Sequence, residues 1–207
     1  MSNKKTQFSY LLILLSLLFQ ACSPSKKISS PSKSNLDRPC LLDVANSNLN
    51  WSGKAGDSNY TLSGNIKAKS GDLKFKDGIL EAALLVDMTS MAHEIPSLIG
   101  HLKSPDFFDV SKYKTAKFTI SNQGLKTCIS SNLPGNFTIK GKESQEMVNI
   151  NLCSSTADTY TCTFKTAIDR TKYGIDYNST TIYGMEIKNP ISDTIWLSGD
   201  LIFNKQD

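Results

Sequence analysis

The chain has 207 residues, of which 39% are hydrophobic and 20% charged, and its formal net charge is +4. This length accommodates one large domain or a tight pair of domains. The composition excludes a disordered chain and a multi-pass membrane protein, and so small a charge gives no reason to expect a nucleic-acid partner. With only two histidines in the whole chain, we predict no metal site, and we predict no cofactor.

The first 21 residues are typical of a signal peptide. Lys4 and Lys5 give a positive start, and residues 10–19 form an almost purely apolar run, YLLILLSLLF. Ten such residues suit a signal and are too few for a membrane-spanning helix, which needs roughly 20. The run leads into FQAC, which resembles a bacterial lipobox, although Phe19 stands where leucine is usual. This resemblance implies that Cys22 carries acyl chains that anchor the protein to a membrane. Ordinary signal cleavage, which would leave Cys22 as a free thiol, is the alternative.

The stretch that follows Cys22 is rich in Ser, Pro and Lys, with the sequence SPSKKISSPSKSNLD over residues 23–37. Such a stretch buries too little apolar surface to fold, and we predict a flexible tether. The chain is thereby divided into a signal peptide (1–21), a tether (22–39) and one folded domain (40–207). The expected location is the bacterial cell envelope, where the anchored protein faces the periplasm or the cell surface.

Four cysteines remain beside Cys22, and in an exported chain they can form two disulfides with three connectivities. We favour Cys153 with Cys162, the nearest in sequence, and Cys40 with Cys128 as the complement. Cys153 alternates with the apolar residues of its strand, whereas Cys162 belongs to the apolar face of the next one. The favoured pairing therefore requires a bulge.

Most of the remaining chain alternates apolar and polar residues with period two, which is typical of half-buried strands. Asp77-Gly78 predicts a tight hairpin, because both turn positions favour positive φ. The predicted strands cover residues 60–68, 73–75, 79–88, 116–120, 136–140, 147–152, 160–168, 182–187 and 195–203.

One region departs from this alternation. Residues 97–103 predict a short helix, and Ser104-Pro105-Asp106 has the signature of a second helix start. Many short strands with one helical excursion favour an all-β fold, a closed antiparallel barrel with one or two short inserted helices, over a parallel α/β sheet.

Several stretches in the chain form one specific pattern. The longest is residues 100–110 (GHLKSPDFFDV), followed by Lys112-Tyr113 and by AKF at 116–118, and further along come GNFTIKG at 135–141 and DRTKYGI at 169–175. In this order, these stretches resemble the signature of the YceI-like family, and the last two are similar to its G-x-L-T-I-K-G strand and D-R-x-x-[FY]-G-I turn.

Two weaker matches and two departures complete this comparison, which spans roughly residues 43–204. Trp51 with Gly53, and Gly64 with Ile66, fit the family's N-terminal strands. Asn46 stands where the family's D-x-x-H-S element has His. The usual lysine-proline pair after the I-K-G strand is replaced by ESQ at 143–145.

The resemblance implies an exported, extended antiparallel barrel, similar to lipocalins, that encloses an elongated apolar tunnel holding a long-chain isoprenoid or similar amphiphilic lipid. We therefore expect a lipid carrier or sequestering protein for a polyisoprenoid, a quinone or a fatty acyl compound, without catalysis. The alternative is a non-catalytic stress-response or interaction module whose barrel is filled by its own side chains. A homodimer is compatible with both, and an enzyme that uses His101 at the barrel rim is the third hypothesis.

A lipid tunnel needs inward-facing apolar side chains, and burying a lipid chain gains roughly 0.8 kcal/mol per CH₂. Period two does not distinguish residues that line a cavity from residues that fill a core. The candidate lining residues are Trp51, Leu62, Ile66, Leu98, Phe107, Phe108, Phe118, Ile120, Phe137, Ile139, Phe164, Ile195 and Leu197.

Two polar residues are candidates for contact with a lipid headgroup, and each has a structural alternative. His101 can bond a headgroup or can be a structural histidine that bonds the backbone. Arg170 can meet a pyrophosphate through its planar fork of donors, or it can fix its turn through an ion pair with Asp169 or Asp176.

The familiar catalytic patterns do not occur in the sequence. His93-Glu94 lacks the second histidine of the zinc-protease motif, and there is no G-x-S-x-G elbow. Asp106 and Asp109 flank the predicted helix start and are interpreted as caps. We therefore predict that the protein is not an enzyme.

Overall fold

The computed structural model describes residues 39–55, 60–76, 79–123, 128–154, 156–184 and 186–206. The predicted signal peptide, Cys22 and the tether up to residue 38 lie outside these residues. Within the described ranges, no helix is long and apolar enough to cross a membrane.

Strands dominate the described chain, and short helices lie in two of the connections. α1 (Pro96–Lys103) follows β4, while a 3₁₀ helix (Arg170–Tyr173) and α2 (Thr180–Tyr183) lie between the last two strands. The strands are β1 (Cys40–Leu42), β2 (Asn48–Ala55), β3 (Thr61–Lys76), β4 (Ile79–Ala92), β5 (Thr115–Gln123), β6 (Cys128–Ile139), β7 (Lys142–Ser154), β8 (Thr159–Asp169) and β9 (Ile191–Lys205).

Strands β2 to β9 form a closed antiparallel ring in chain order, with β9 pairing back with β2. Each of these strands therefore pairs with its neighbours in sequence. β1 lies between β3 and β9, where Cys40 is opposite both Leu73 and Lys205. A closed ring leaves no long unpaired edge. The predicted all-β antiparallel barrel with short helices is confirmed.

The two ends of the barrel differ. At the hairpin end, short connections join β3 to β4, β5 to β6 and β7 to β8. Lys76 is opposite Ile79 there, as the predicted two-residue hairpin requires, although residues 77–78 themselves lie outside the described ranges. At the opposite, helical end, α1, the 3₁₀ helix and α2 are inserted between strands. All three helices therefore lie at the same end of the barrel.

Near the hairpin end, the barrel interior is filled by its own side chains. The rings of Phe75 and Tyr160 pack with their centroids 5.3 Å apart. Cys40, Leu152 and Phe203 are buried in the same layer. Each fully buried side chain of this size stabilises the fold by roughly 1.5–3 kcal/mol. This packed layer closes one half of the barrel.

Two local predictions are wrong. A strand was predicted at 182–187, but α2 extends over the first two of these residues. α2 forms there because the Ser179 hydroxyl accepts a hydrogen bond from the Ile182 amide and so caps the helix. No helix starts at Ser104. That residue is extended, and after it the Phe107 and Asp109 amides bond back to the Ser104 carbonyl in tight turns.

The predicted Cys153–Cys162 disulfide does not form, because Cys162 is a buried free thiol. The strand register explains why. Cys162 is opposite Leu152, and Cys153 is opposite Thr161 and Cys128, so Cys153 and Cys162 belong to alternating positions. The complementary Cys40–Cys128 pair is unsupported as well, since β1 pairs with β3 and β9 and not with β6.

Candidate functional site

A cavity of about 180 Å³ lies between the packed layer and the helical end, and its wall is almost entirely apolar. Every candidate lining residue predicted from the sequence lies in this wall except Ile120. Ile120 is buried in the core, one inward position on β5 closer to the hairpin end than Phe118. The expected elongated tunnel is therefore a cavity confined to the helical half of the barrel.

The sequence reasoning missed the inward face of β4. Leu84, Val86, Met88 and Met91 all lie in the cavity wall. The period-two pattern that predicts this strand also places the first three on one face. Met91 does not follow that spacing, because the register between β3 and β4 shifts near this end.

Two glycines make room for the aromatic rings of the wall. A Cβ at Gly64 would collide with the Ala92 carbonyl oxygen and with the indole ring of Trp51. A Cβ at Gly199 would lie 2.6 Å from the ring of Phe164. These glycines are therefore required by close packing, and they let the two rings approach the backbone of the neighbouring strands.

α1 lies over the helical end of the cavity and contributes Leu98, His101 and Leu102 to its wall. The His101 ring packs nearly perpendicular to the rings of Phe107 and Tyr177, with centroids 5.0 and 4.7 Å away. Its Nε2 lies 3.6 Å from the Asp106 carboxylate. These contacts join α1 to the segment before α2, and they give His101 a packing role of its own at the cavity wall.

Arg170 is fully buried at the wall, and the protein itself engages each of its three guanidinium nitrogens. They donate to the carbonyls of Ser192, Ile175 and Ile191 over 2.9–3.0 Å. Nη2 also lies 3.2 Å from Asp193. Burial lowers the pKa of Arg170, and the Asp193 carboxylate opposes that shift.

The structure thus gives Arg170 a turn-fixing function, although its ion-pair partner differs from the two acids predicted. Asp193 makes the pair, across the start of β9. Asp169 instead caps the 3₁₀ helix, where its carboxylate accepts from the Thr171 amide at 2.9 Å. A headgroup contact would have to compete with bonds that Arg170 already makes.

The indole nitrogen of Trp51 differs from these engaged groups. Trp51 is on β2, opposite Gly64 of β3 and Leu197 of β9, and its ring lines the cavity. Its Nε1 is shielded from solvent and has no hydrogen-bond partner within the described part of the chain. A buried tryptophan N–H usually finds a partner.

His93, which lies beside the Trp51 ring, has structural contacts as well. His93 accepts a hydrogen bond from the Ile95 amide through Nδ1, and its ring lies 6.0 Å from that of Trp51. Among the described residues, no group of three or more His, Cys, Asp and Glu side chains is placed to hold a metal ion.

The fold and the cavity together define a closed up-and-down β-barrel with an apolar interior pocket. Residues 41–203 match the YceI-like domain family, and the chain belongs to that family. A comparison with curated proteins gives no match.

Solved structures share this fold at low sequence identity. A polyisoprenoid-binding domain from Saccharophagus degradans, implicated in plant cell wall breakdown, is 16% identical with a TM-score of 0.65, covering 82% of this chain and 99% of that one. BcnA of Burkholderia cenocepacia is 20% identical with a TM-score of 0.62, covering 78% and 98%. The YceI protein of Campylobacter jejuni is 16% identical with a TM-score of 0.50, covering 74% and 85%.

Proposed function

We propose that this protein binds a long-chain isoprenoid or similar amphiphilic lipid in its barrel cavity, as a carrier or sequestering protein, and performs no chemistry on it. The observation that carries this proposal is the apolar cavity in the helical half, walled by the residues that the sequence suggested. The polyisoprenoid-binding domain of the same fold supports the choice of ligand class. Apolar burial alone is sufficient to drive such binding.

The proposal is tested by extracting the full-length protein, expressed with its own leader, with organic solvent and analysing the extract by mass spectrometry. Acyl chains attached to Cys22 are covalent and stay with the protein, so an extracted lipid comes from a non-covalent site. We expect an isoprenoid or acyl lipid in amounts approaching one per chain. An empty protein that also takes up no lipid from vesicles would contradict the proposal.

We further propose that acylated Cys22 anchors the protein in the bacterial cell envelope, with the tether between the membrane and the barrel. The support is the signal-like start, the lipobox-like FQAC and the Ser/Pro/Lys-rich stretch. Cys22→Ser is expected to move the protein from the membrane fraction to the soluble fraction. Cys162→Ser, which changes a buried thiol of the barrel, is the control and should leave the fractionation unchanged.

One observation favours a second candidate function, in which the protein is an interaction module that binds a second copy of itself. Met147 and Trp196 are 56% and 42% exposed, and Trp196 is opposite Ala167 on the strand between them. These outward apolar side chains form a small patch on three neighbouring strands. Sedimentation velocity should then show a dimer that Trp196→Lys dissociates, while a monomer at all concentrations would reject this function.

A further inference from the structure

Cys128 and Cys153 lie directly opposite each other in the antiparallel pairing of β6 with β7. Residues at such register positions have Cα atoms about 4.5–5.5 Å apart and share one face of the sheet. Disulfide-bonded cysteines have Cα atoms about 4.4–6.8 Å apart. The backbone therefore places these two residues where a cross-strand disulfide can form without any change of register.

These two register positions belong to the outward face of the barrel. The chain neighbours Ile129 and Leu152 are opposite each other as well, and both are buried in the interior. Successive residues of a strand alternate between the two faces of a sheet, so Cys128 and Cys153 occupy outward positions. An oxidant in solution can reach this face without entering the barrel.

The first half of β6 depends on β7 for its place in the barrel. Among the described residues, the pairing of β5 with β6 ends at Thr119 and Asn136, whereas the pairing of β6 with β7 continues to Cys128. Pro134 lies just beyond the end of the β5 pairing, and a proline has no amide N–H to donate to a neighbouring strand. A covalent bond between β6 and β7 therefore acts where the other neighbour of β6 has ended its pairing.

We propose that Cys128 and Cys153 form a disulfide that covalently joins the start of β6 to β7. Each thiol loses a proton and an electron, and the two sulfurs form a bond. An oxidant of the disulfide class takes up both protons and both electrons and is released as two thiols. The proposed export to the cell envelope would supply an oxidant of this class. Cys40 and Cys162 are buried free thiols and remain outside this bond.

The first test requires no variant and maps the cysteines of the full-length protein, expressed with its own leader and never exposed to a reductant. The protein is alkylated in denaturant, digested and analysed by mass spectrometry. We expect the peptides that carry Cys128 and Cys153 to form one linked species, two hydrogen masses lighter than the separate peptides, which reduction splits. Cys40 and Cys162 should be recovered alkylated. Alkylated Cys128 and Cys153 would overturn the proposal, and so would a bond from either of them to another cysteine.

The second test measures what the bond contributes to the barrel by thermal unfolding. Reduction of the wild-type protein should lower its melting temperature by about 5–10 °C, because the cross-link restricts the unfolded chain. Cys128→Ser, which cannot form the bond, should melt at the lower temperature with and without the reductant. Cys162→Ser retains both partners and is the control, so its melting temperature should still fall on reduction. A wild-type melting temperature that reduction leaves unchanged would contradict a bond that holds β6 to β7.

Discussion

Arg170 and Asp193 form a buried ion pair where the 3₁₀ helix meets the start of β9, with 3.2 Å between Nη2 and Oδ1. The other guanidinium bonds reach the carbonyls of Ile175, Ile191 and Ser192. One side chain therefore joins the connection after β8 to the first residues of β9. This junction forms part of the cavity wall at the helical end.

Replacing Arg170 with Met should lower the free energy of unfolding by about 3–5 kcal/mol, because Asp193 and three carbonyls lose their partner in a buried place. Urea unfolding followed by circular dichroism measures this loss. Lys74→Met is the matched control. Its ion pair with Asp72 spans 3.4 Å, both side chains are exposed, by 48% and 38%, and such pairs contribute about 1 kcal/mol or less. Equal losses in the two variants would contradict the structural role assigned to Arg170.

Gly64→Ala should destabilise the barrel by about 1–3 kcal/mol, since its Cβ meets the Ala92 carbonyl and the Trp51 ring. The displaced indole should also change the tryptophan fluorescence spectrum. Gly53→Ala is the control from the neighbouring strand, because a Cβ at Gly53 meets nothing within 4 Å. The melting temperatures of both variants test this prediction. Similar values would show that the cavity wall can accommodate a Cβ at Gly64.

Burial raises the pKa of the Cys162 thiol to about 12, from an ordinary value of 9.0. The unfolded chain therefore releases this proton at lower pH than the folded barrel does. The contribution of the protonated Cys162 thiol to the free energy of unfolding is fully present below about pH 9, and it declines as the pH rises towards 12. The slope reaches about 1.4 kcal/mol per pH unit.

Cys162→Ala removes this contribution, so the difference in unfolding free energy between wild type and variant should shrink as the pH rises from 8 to 10.5. Urea unfolding at several pH values measures the difference. Other buried groups that titrate in this range act in both proteins, and their effects cancel in the comparison. A difference that does not change with pH would mean that the thiol titrates normally in the folded state.

Period two was sufficient to predict most strands of the barrel, because half-buried strands require alternation wherever they lie. It identifies the face of a residue but not its height along the barrel axis. This is why Ile120 and Phe118 received the same prediction although only Phe118 reaches the cavity. The disulfide prediction failed for a related reason, since strand register, which separates Cys153 from Cys162, is set by pairings between distant segments.

Contacts that depend on tertiary structure could likewise not be predicted from the sequence. The partner of Arg170 is Asp193, across the α2 connection, rather than a nearby acid. The unpartnered nitrogen of Trp51 is recognisable only once its surroundings are known. The strand predicted at 182–187 failed because local capping by Ser179 outweighs a short alternating pattern.

A charge placed in the cavity wall should abolish lipid binding without unfolding the protein. Leu98 is suited to this test because it lies in the wall, while α1 contains no fully buried residue. Leu98→Asp should weaken the binding of farnesylacetone, a prenyl ketone, by at least about 100-fold, since an apolar wall cannot solvate a carboxylate. Ser97→Asp adds the same charge to the exposed neighbouring position of α1 and should leave the Kd within about twofold. Isothermal titration and melting temperatures of both variants separate binding from stability. Unchanged binding by a folded Leu98→Asp protein would show that the lipid does not occupy this cavity.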